Sequence, residues 1–228
     1  MTELGFQSCK AEPDVWFSTS TKSDGNDYYQ YVLIYTDDIL AIMEEPERFL
    51  RDELGNLFTL KEKSIGPPTQ YLGNKVSQVT LENGTKCWIF SSSQYVQSKV
   101  KNVEDYCDKQ GLGMLPKVKS QWPRNYCPKV DVSTELSSIQ ASYYQSLIGI
   151  LCWIVELGRS DIVMENSALA SMMALPREGH IDAVFHMFAF LKRKHNGVMV
   201  FDPTEPEIDI NKFPCEDWSA TPYGECKE

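Results

Sequence analysis

Two adjacent carboxylates, Asp37 and Asp38, stand between apolar runs in the stretch Tyr31-Val32-Leu33-Ile34-Tyr35-Thr36-Asp37-Asp38-Ile39-Leu40-Ala41-Ile42. Neighbouring side chains of a regular strand point to opposite faces, so both acids can serve one site only if they occupy a turn. The pattern predicts a hairpin with acids at its tip, kept rigid and partly dry by the apolar strands on either side. Such a tip suits a hard divalent cation with oxygen ligands, and magnesium is the natural choice. Two-ion phosphoryl or nucleotidyl transfer needs ions ~3.5–4 Å apart, bridged by carboxylates and substrate phosphates. Two acids from one tip rarely suffice for that, so a third is expected from a neighbouring strand. Asp-Asp in a hairpin is also ordinary turn chemistry, because aspartate tolerates turn geometry and prefers water.

Few other residues offer chemistry. His180 and His186 are six apart on or near one helix, which is wrong for a pair of metal ligands one turn apart, and His195 falls near that helix's end. Surface or capping roles suit all three. The seven cysteines (9, 87, 107, 127, 152, 215 and 226) are odd in number and form no C-x-x-C pair, so neither a zinc knuckle nor a disulfide framework is indicated and a reducing compartment fits best. No Gly-rich phosphate loop or nucleophile elbow is present. Asn83-Gly84-Thr85 has the spacing of a glycosylation sequon, but Asn-Gly between two β-rich runs reads first as a hairpin turn.

The elements that must position the acids follow from periodicity. Val15–Ser18, Tyr28–Tyr35, Ile39–Met43, Gln70–Val79 and Lys86–Phe90 are rich in β-branched and aromatic residues and predict strands. Pro46, with Phe49, Leu50 and Leu54 behind it, predicts a short helix among them. From Ser91 the period becomes helical. Val96, Val100, Val103 and Cys107 define a first stripe behind a serine cluster able to cap it. Tyr144, Leu147, Ile148, Leu151, Ile154 and Val155 define a second, over about Ile139–Leu157, ended by Gly158. A third helix is expected from Ser160-Asp161 to before Pro176, and a fourth over Ile181–His195. The basic trio Lys192-Arg193-Lys194 at its end complements the helix dipole. Residues 111–133, rich in Gly, Pro, Lys and Trp, predict a long linker, and the acidic, proline-bearing residues after Phe201 an extended tail.

Composition sets limits on partners. Hydrophobic residues make up 42% of the 228, enough to bury a core, while 32 acidic against 22 basic side chains give a net charge of −10. A protein whose whole surface attracts phosphate is thereby excluded, so any nucleic-acid contact is local. Residues 99–129 carry seven basic and three acidic side chains, whereas residues 202–228 carry two and eight. Lys99, Lys101, Lys117, Lys119, Arg124 and Lys129 are the candidate contacts. No basic start precedes an apolar run, and the longest apolar stretch, Ile150–Val155, is far below the ~20 residues that span a bilayer. A soluble intracellular protein without a membrane partner is expected, in a cytoplasmic particle or the nucleus.

Tyr35-Thr36-Asp37-Asp38 in this setting resembles the Tyr-x-Asp-Asp box of reverse transcriptases, in the form used by copia-type long-terminal-repeat retrotransposons. Leu4-Gly5-Phe6 followed by Cys9-Lys10-Ala11-Glu12-Pro13-Asp14 resembles the segment just upstream of that box. Tyr71-Leu72-Gly73 resembles the later strand that helps form the primer grip. Ser92-Ser93-Gln94-Tyr95-Val96, Tyr144-Gln145-Ser146-Leu147-Ile148-Gly149, Arg159-Ser160-Asp161-Ile162 and the helix ending Leu191-Lys192 resemble further stretches of the family. In order and spacing these cover nearly the whole chain.

The resemblance implies an α+β fold: an incomplete antiparallel palm with its catalytic hairpin over residues 1–90, a helical thumb-like or connection-like region over 91–197, and an acidic tail over 198–228 leading toward a ribonuclease H domain. It implies that Asp37 ligates catalytic magnesium, one of two ions in the intact enzyme, and that Asp38 assists at the same site. Tyr35 and Thr36 would lie under the primer end, with RNA template and DNA primer as partners. Thr36 departs from the family's usual valine by adding a hydroxyl. The family's first catalytic aspartate and its fingers lie upstream of the stretch seen here, and Glu3, Glu12, Asp14, Asp24 and Asp27 sit in loop-like or exposed contexts that do not replace it. The expectation is RNA-directed DNA polymerase machinery that is inactive alone and needs the N-terminal palm and fingers as a partner polypeptide. The alternative is a non-catalytic remnant acting as a weak nucleic-acid-binding or protein-interaction module.

Overall fold

The computed structural model describes residues 1–113, 115–204 and Lys212; most of the predicted tail, with Cys215, Trp218 and Cys226, lies outside the described residues. The fold is a mixed α+β arrangement of two antiparallel four-stranded sheets and a helical unit. The first sheet has the order β1 (Gln7–Ser8), β2 (Val15–Thr21), β3 (Asp27–Tyr35) and β4 (Asp38–Ile42), each strand beside its neighbour in sequence.

One face of this sheet is buried and one is open, as the alternation of its residues requires. Val32 is fully buried among Trp16, Ile34, Ile39 and Ala41, against Phe6, Phe49 and Leu54. Phe49 and Leu54 come from a short helical passage: one α turn (α1, Pro46–Arg48), a π turn over Phe49–Glu53 and a 3-10 turn over Leu54–Asn56. The opposite face carries Tyr29, Tyr31 and Ile42, all exposed.

The second sheet has the order β5 (Gln70–Tyr71), β6 (Asn74–Thr80), β7 (Lys86–Ser91) and β8 (Val198–Phe201). Gln70–Val79, which reads as one strand, is instead a hairpin. Leu72 and Gly73 both take positive φ, 49° and 88°, so Tyr71 turns back directly opposite Asn74. The Asn83-Gly84 turn between β6 and β7 forms where the sequence predicts it. The β8 segment Val-Met-Val-Phe gives no alternation to read, yet it pairs with β7 from Trp88–Phe201 to Ser91–Val198.

The helical unit comprises α2 (Ser93–Lys109), α3 (Ser138–Glu156), α4 (Val163–Ala170) and α5 (Glu178–Arg193). Its stripes are those predicted: Val96, Val100, Val103 and Cys107 meet Tyr144, Leu147, Ile148, Leu151 and Ile154, with Val184, Met187, Phe188 and Leu191 of α5. Tyr144 is buried whole because its hydroxyl donates to the Leu169 carbonyl at 2.7 Å. The third predicted helix is shorter than expected, a 3-10 turn over Ser160–Ile162 followed by α4. Ser137 and Gln140 close a capping box at the start of α3, whereas Ser92 at the start of α2 makes no side-chain cap; there Ser93 Oγ meets His195 Nδ1 at 2.7 Å.

The linker between α2 and α3 is ordered by polar contacts. Asp131 accepts from the Tyr126 hydroxyl at 2.7 Å and from Ser133, beside Gly179 at the start of α5. His180 is buried there, accepting from the Arg177 backbone N–H at Nδ1 and so donating from Nε2 to the Pro128 carbonyl at 3.1 Å. The capping role read for the histidines fits His180; His195 meets the side chains of Ser93 and Gln97, and His186 the Ser120 carbonyl at 3.0 Å. Among the described residues no helix is long and apolar enough to cross a membrane.

Candidate functional site

The site is built on β3 and β4. Tyr31 is opposite Ile42, Leu33 opposite Leu40 and Tyr35 opposite Asp38, leaving Thr36 and Asp37 as a two-residue turn. A turn that short needs positive φ at its first position to match the strand twist, and Thr36 takes it at 55°. For a β-branched residue this is a strained conformation. Asp37 lies in the turn and Asp38 opens β4, both exposed. Directly paired residues share a sheet face, so the Tyr35 ring and the Asp38 carboxylate stand side by side on the open face.

Two other parts of the chain reach this end of the sheet. Tyr71, which ends β5 just before the tight turn, has its phenol pushed above the ordinary value by burial and then by the negative charges of Asp38 and Asp14. That electrostatic reach brings the Tyr71-Leu72-Gly73 turn and the Asp hairpin together, as two separate sequence motifs alone do not. Asp14 belongs to the same end because its carbonyl accepts the Ile34 N–H at 2.9 Å. The second approach is from α3: Trp153 sits with its ring centroid 6.3 Å from that of Tyr35, the planes tilted by 38°. Trp153 is the residue that sequence reasoning missed, since no local pattern links positions so far apart.

The basic residues lie elsewhere. Lys99 and Lys101 are on α2, Lys99 stacked over the Tyr95 ring with Nζ 4.9 Å from its centroid, and Lys117, Lys119, Arg124 and Lys129 follow along the linker. They therefore occupy two separate elements.

Carboxylate oxygens are the donors magnesium takes, so Asp37 and Asp38 fit the ion in kind. They fall short of a two-ion site in number: among the described residues no group of three or more His, Cys, Asp or Glu side chains is placed to hold a metal. Asp14 shares the neighbourhood without completing such a group. The outer edge of β4, which begins at Asp38, has no strand partner among the described residues. The hairpin tip is an open surface. A groove of about 440 Å³, lined by Leu4, Gln7, Phe17, Thr19 and Tyr29, lies farther along the sheet.

Fold and site together define an α+β chain that presents an exposed two-carboxylate hairpin against a helical unit. Comparison with known proteins relates it distantly to a transposon. The chain is 25% identical over 194 residues to a transposon Ty5-1 protein of Saccharomyces cerevisiae, a match covering 84% of this chain and 56% of that protein. The chain thus spans about half the length of the curated relative it matches. No family model matches the sequence, and no solved structure matches it.

Proposed function

We propose that this chain carries the carboxylate hairpin and the primer-side turn of a copia-type retrotransposon reverse transcriptase, an RNA-directed DNA polymerase working by two-metal nucleotidyl transfer. The observation that carries this reading is the Tyr35–Asp38 register, which closes a two-residue turn and sets both acids at one exposed end of the sheet. The charge of Asp38 felt at the Tyr71 phenol supports it, because it puts the second motif in the neighbourhood of the first. The distant similarity to a transposon protein supports it from outside the structure. An open tip also suits the end of a polymer better than an enclosed small molecule.

In this reading residues 1–90 are part of a palm and residues 91–197 a thumb-like region. Asp37 and Asp38 would contribute carboxylate ligands to Mg2+, and the bound ion would supply the positive charge that favours ionisation of a primer 3′-hydroxyl and offsets charge developing on a transferred phosphoryl group. Tyr35 and Thr36 lie beneath the primer end, and Tyr71, Leu72 and Gly73 hold it from the other side. The third carboxylate comes from a strand paired to the open edge of β4, supplied by a longer chain or a separate polypeptide. A strand added there in register lays its side chains next to Asp38. Residues 1–228 by themselves are accordingly expected to extend primers negligibly.

Primer extension on an RNA template with Mg2+ tests this, comparing residues 1–228, a longer protein in which they are joined to a palm-and-fingers segment carrying the third carboxylate, and Asp37→Asn in each. The expected result is extension by the longer protein alone, abolished by Asp37→Asn. Extension by residues 1–228, or by the longer Asp37→Asn protein, contradicts the reading.

A further inference from the structure

We infer that Trp153 is a positioning residue for the carboxylate hairpin, tying the helical unit to Asp37 and Asp38 through Tyr35. The strand ladder alone leaves the tip weakly held: β4 has one neighbour among the described residues, and the turn carries a threonine at φ 55°. A strained backbone persists only where its surroundings over-determine it. At this tip the Trp153 ring adds support from outside the sheet, its centroid 6.3 Å from that of Tyr35, and Tyr35 is joined to Asp38 through the turn itself.

The helix that delivers Trp153 is well anchored. Leu147, Ile148, Leu151 and Ile154 of α3 are each at most 1% exposed. One turn beyond Trp153, Leu157 comes within 4.0 Å of where a β-carbon on Gly73 would stand, so the same end of α3 also bears on the Tyr71 turn. Gly158 then abuts Met199, and Arg159, buried and bonded through Nε and Nη2 to both carboxylate oxygens of Asp161 at 2.8 Å, packs on Gly197. The C-terminal end of α3 is thus fixed to the second sheet while it touches the hairpin of the first. A shift of the helical unit is transmitted to Tyr35, and from Tyr35 to Asp38.

The positioning itself stands on this geometry; its consequence for metal binding rests on the proposed function. Amide hydrogen exchange of the full chain tests the positioning in Trp153→Ala and Trp153→Phe. An aromatic contact of this kind corresponds to exchange about two- to tenfold faster at Tyr35–Ile39 in Trp153→Ala, with near-normal exchange in Trp153→Phe. Exchange in β2, the far end of β3 and α5 is expected to stay unchanged. Unchanged exchange at the tip, or equal acceleration across both sheets and the helices, overturns the inference. If Trp153→Ala does not fold, Tyr35→Leu decides from the exposed side: it is expected to loosen the tip by the same factor, and no effect there overturns the inference. Mn2+ affinity measured by electron paramagnetic resonance is expected to fall by a similar factor in Trp153→Ala. Equal Mn2+ binding by the wild-type and Asp37→Asn proteins removes the metal reading, while the exchange result still decides the positioning.

Discussion

At the hairpin tip the residue under strain is Thr36, between the tyrosine and the acids that the site uses. Left-handed backbone costs a non-glycine residue about 1–2 kcal/mol, and a β-branched side chain sits at the high end. Thr36→Gly is therefore expected to raise stability by up to about 1 kcal/mol in urea unfolding, after glycine's own entropy cost is subtracted. A loss of stability would mean that the threonine side chain makes a contact worth more than the strain. Tyr71 gives a second test at this scale. Burial and the charges of Asp38 and Asp14 all disfavour its phenolate. Asp38→Asn removes one of those charges, so the Tyr71 pKa should fall while staying above its ordinary value, because the burial remains. Carbon-13 NMR of labelled tyrosine reads this directly, and an unmoved Tyr71 would separate the turn from the hairpin.

Among the elements, the linker clamp is the most sharply constrained. Gly179 stands in the first turn of α5, where alanine would ordinarily add helix stability. Here a β-carbon would overlap Asp131 Oδ2. Burial works to raise the Asp131 pKa and is outweighed by hydrogen bonds from Ser133 and Tyr126, so its carboxyl stays below the ordinary value and charged. Gly179→Ala is expected to destabilise the chain by about 1–3 kcal/mol in thermal or urea unfolding, and a gain would show that the linker yields freely.

Much of this level was legible in the sequence. The stripes Val96–Cys107 and Tyr144–Ile154 have the helical period and are the buried faces, and the apolar runs around Asp37-Asp38 form the predicted hairpin. The misses share a cause, which is that local pattern does not encode long-range pairing. Val198–Phe201 has no alternation because all four residues are exposed, and its strand exists only through β7. Leu72-Gly73 is hidden inside a run that looks continuous. The Trp153–Tyr35 contact joins residues with no periodicity in common.

For the whole molecule, two long edges stand open among the described residues, β4 in the first sheet and β8 in the second. Neither carries a proline or lysine, the devices that usually discourage strand addition. Ile42 is 52% and Val200 44% exposed. Ile42→Lys and Val200→Lys are expected to reduce concentration-dependent association of the isolated chain in sedimentation; no change from either would remove the edges as its cause.

The core sets the alkaline limit. Burial holds the Tyr126, Tyr143 and Tyr144 phenols well above their ordinary range, with Asp131 reinforcing Tyr126. A phenol that binds its proton more tightly when folded contributes stability in full below about pH 10 and loses it as pH rises further. Unfolding above that pH should therefore coincide with a cooperative rise in tyrosinate absorbance. Gradual titration of Tyr126, Tyr143 and Tyr144 together with the exposed tyrosines, while the fold stays intact, would contradict this burial.

The central claim, that the Asp37-Asp38 tip is a divalent-cation platform facing Tyr71, is tested most directly by paramagnetic line broadening. Mn2+ is titrated into the labelled full chain while amide signals are followed by NMR, a method that registers weak sites. The account predicts broadening that begins at Tyr35–Ile39, extends next to Tyr71–Gly73, and disappears in Asp37→Asn. Broadening centred elsewhere, or persisting unchanged at the tip in Asp37→Asn, would contradict it.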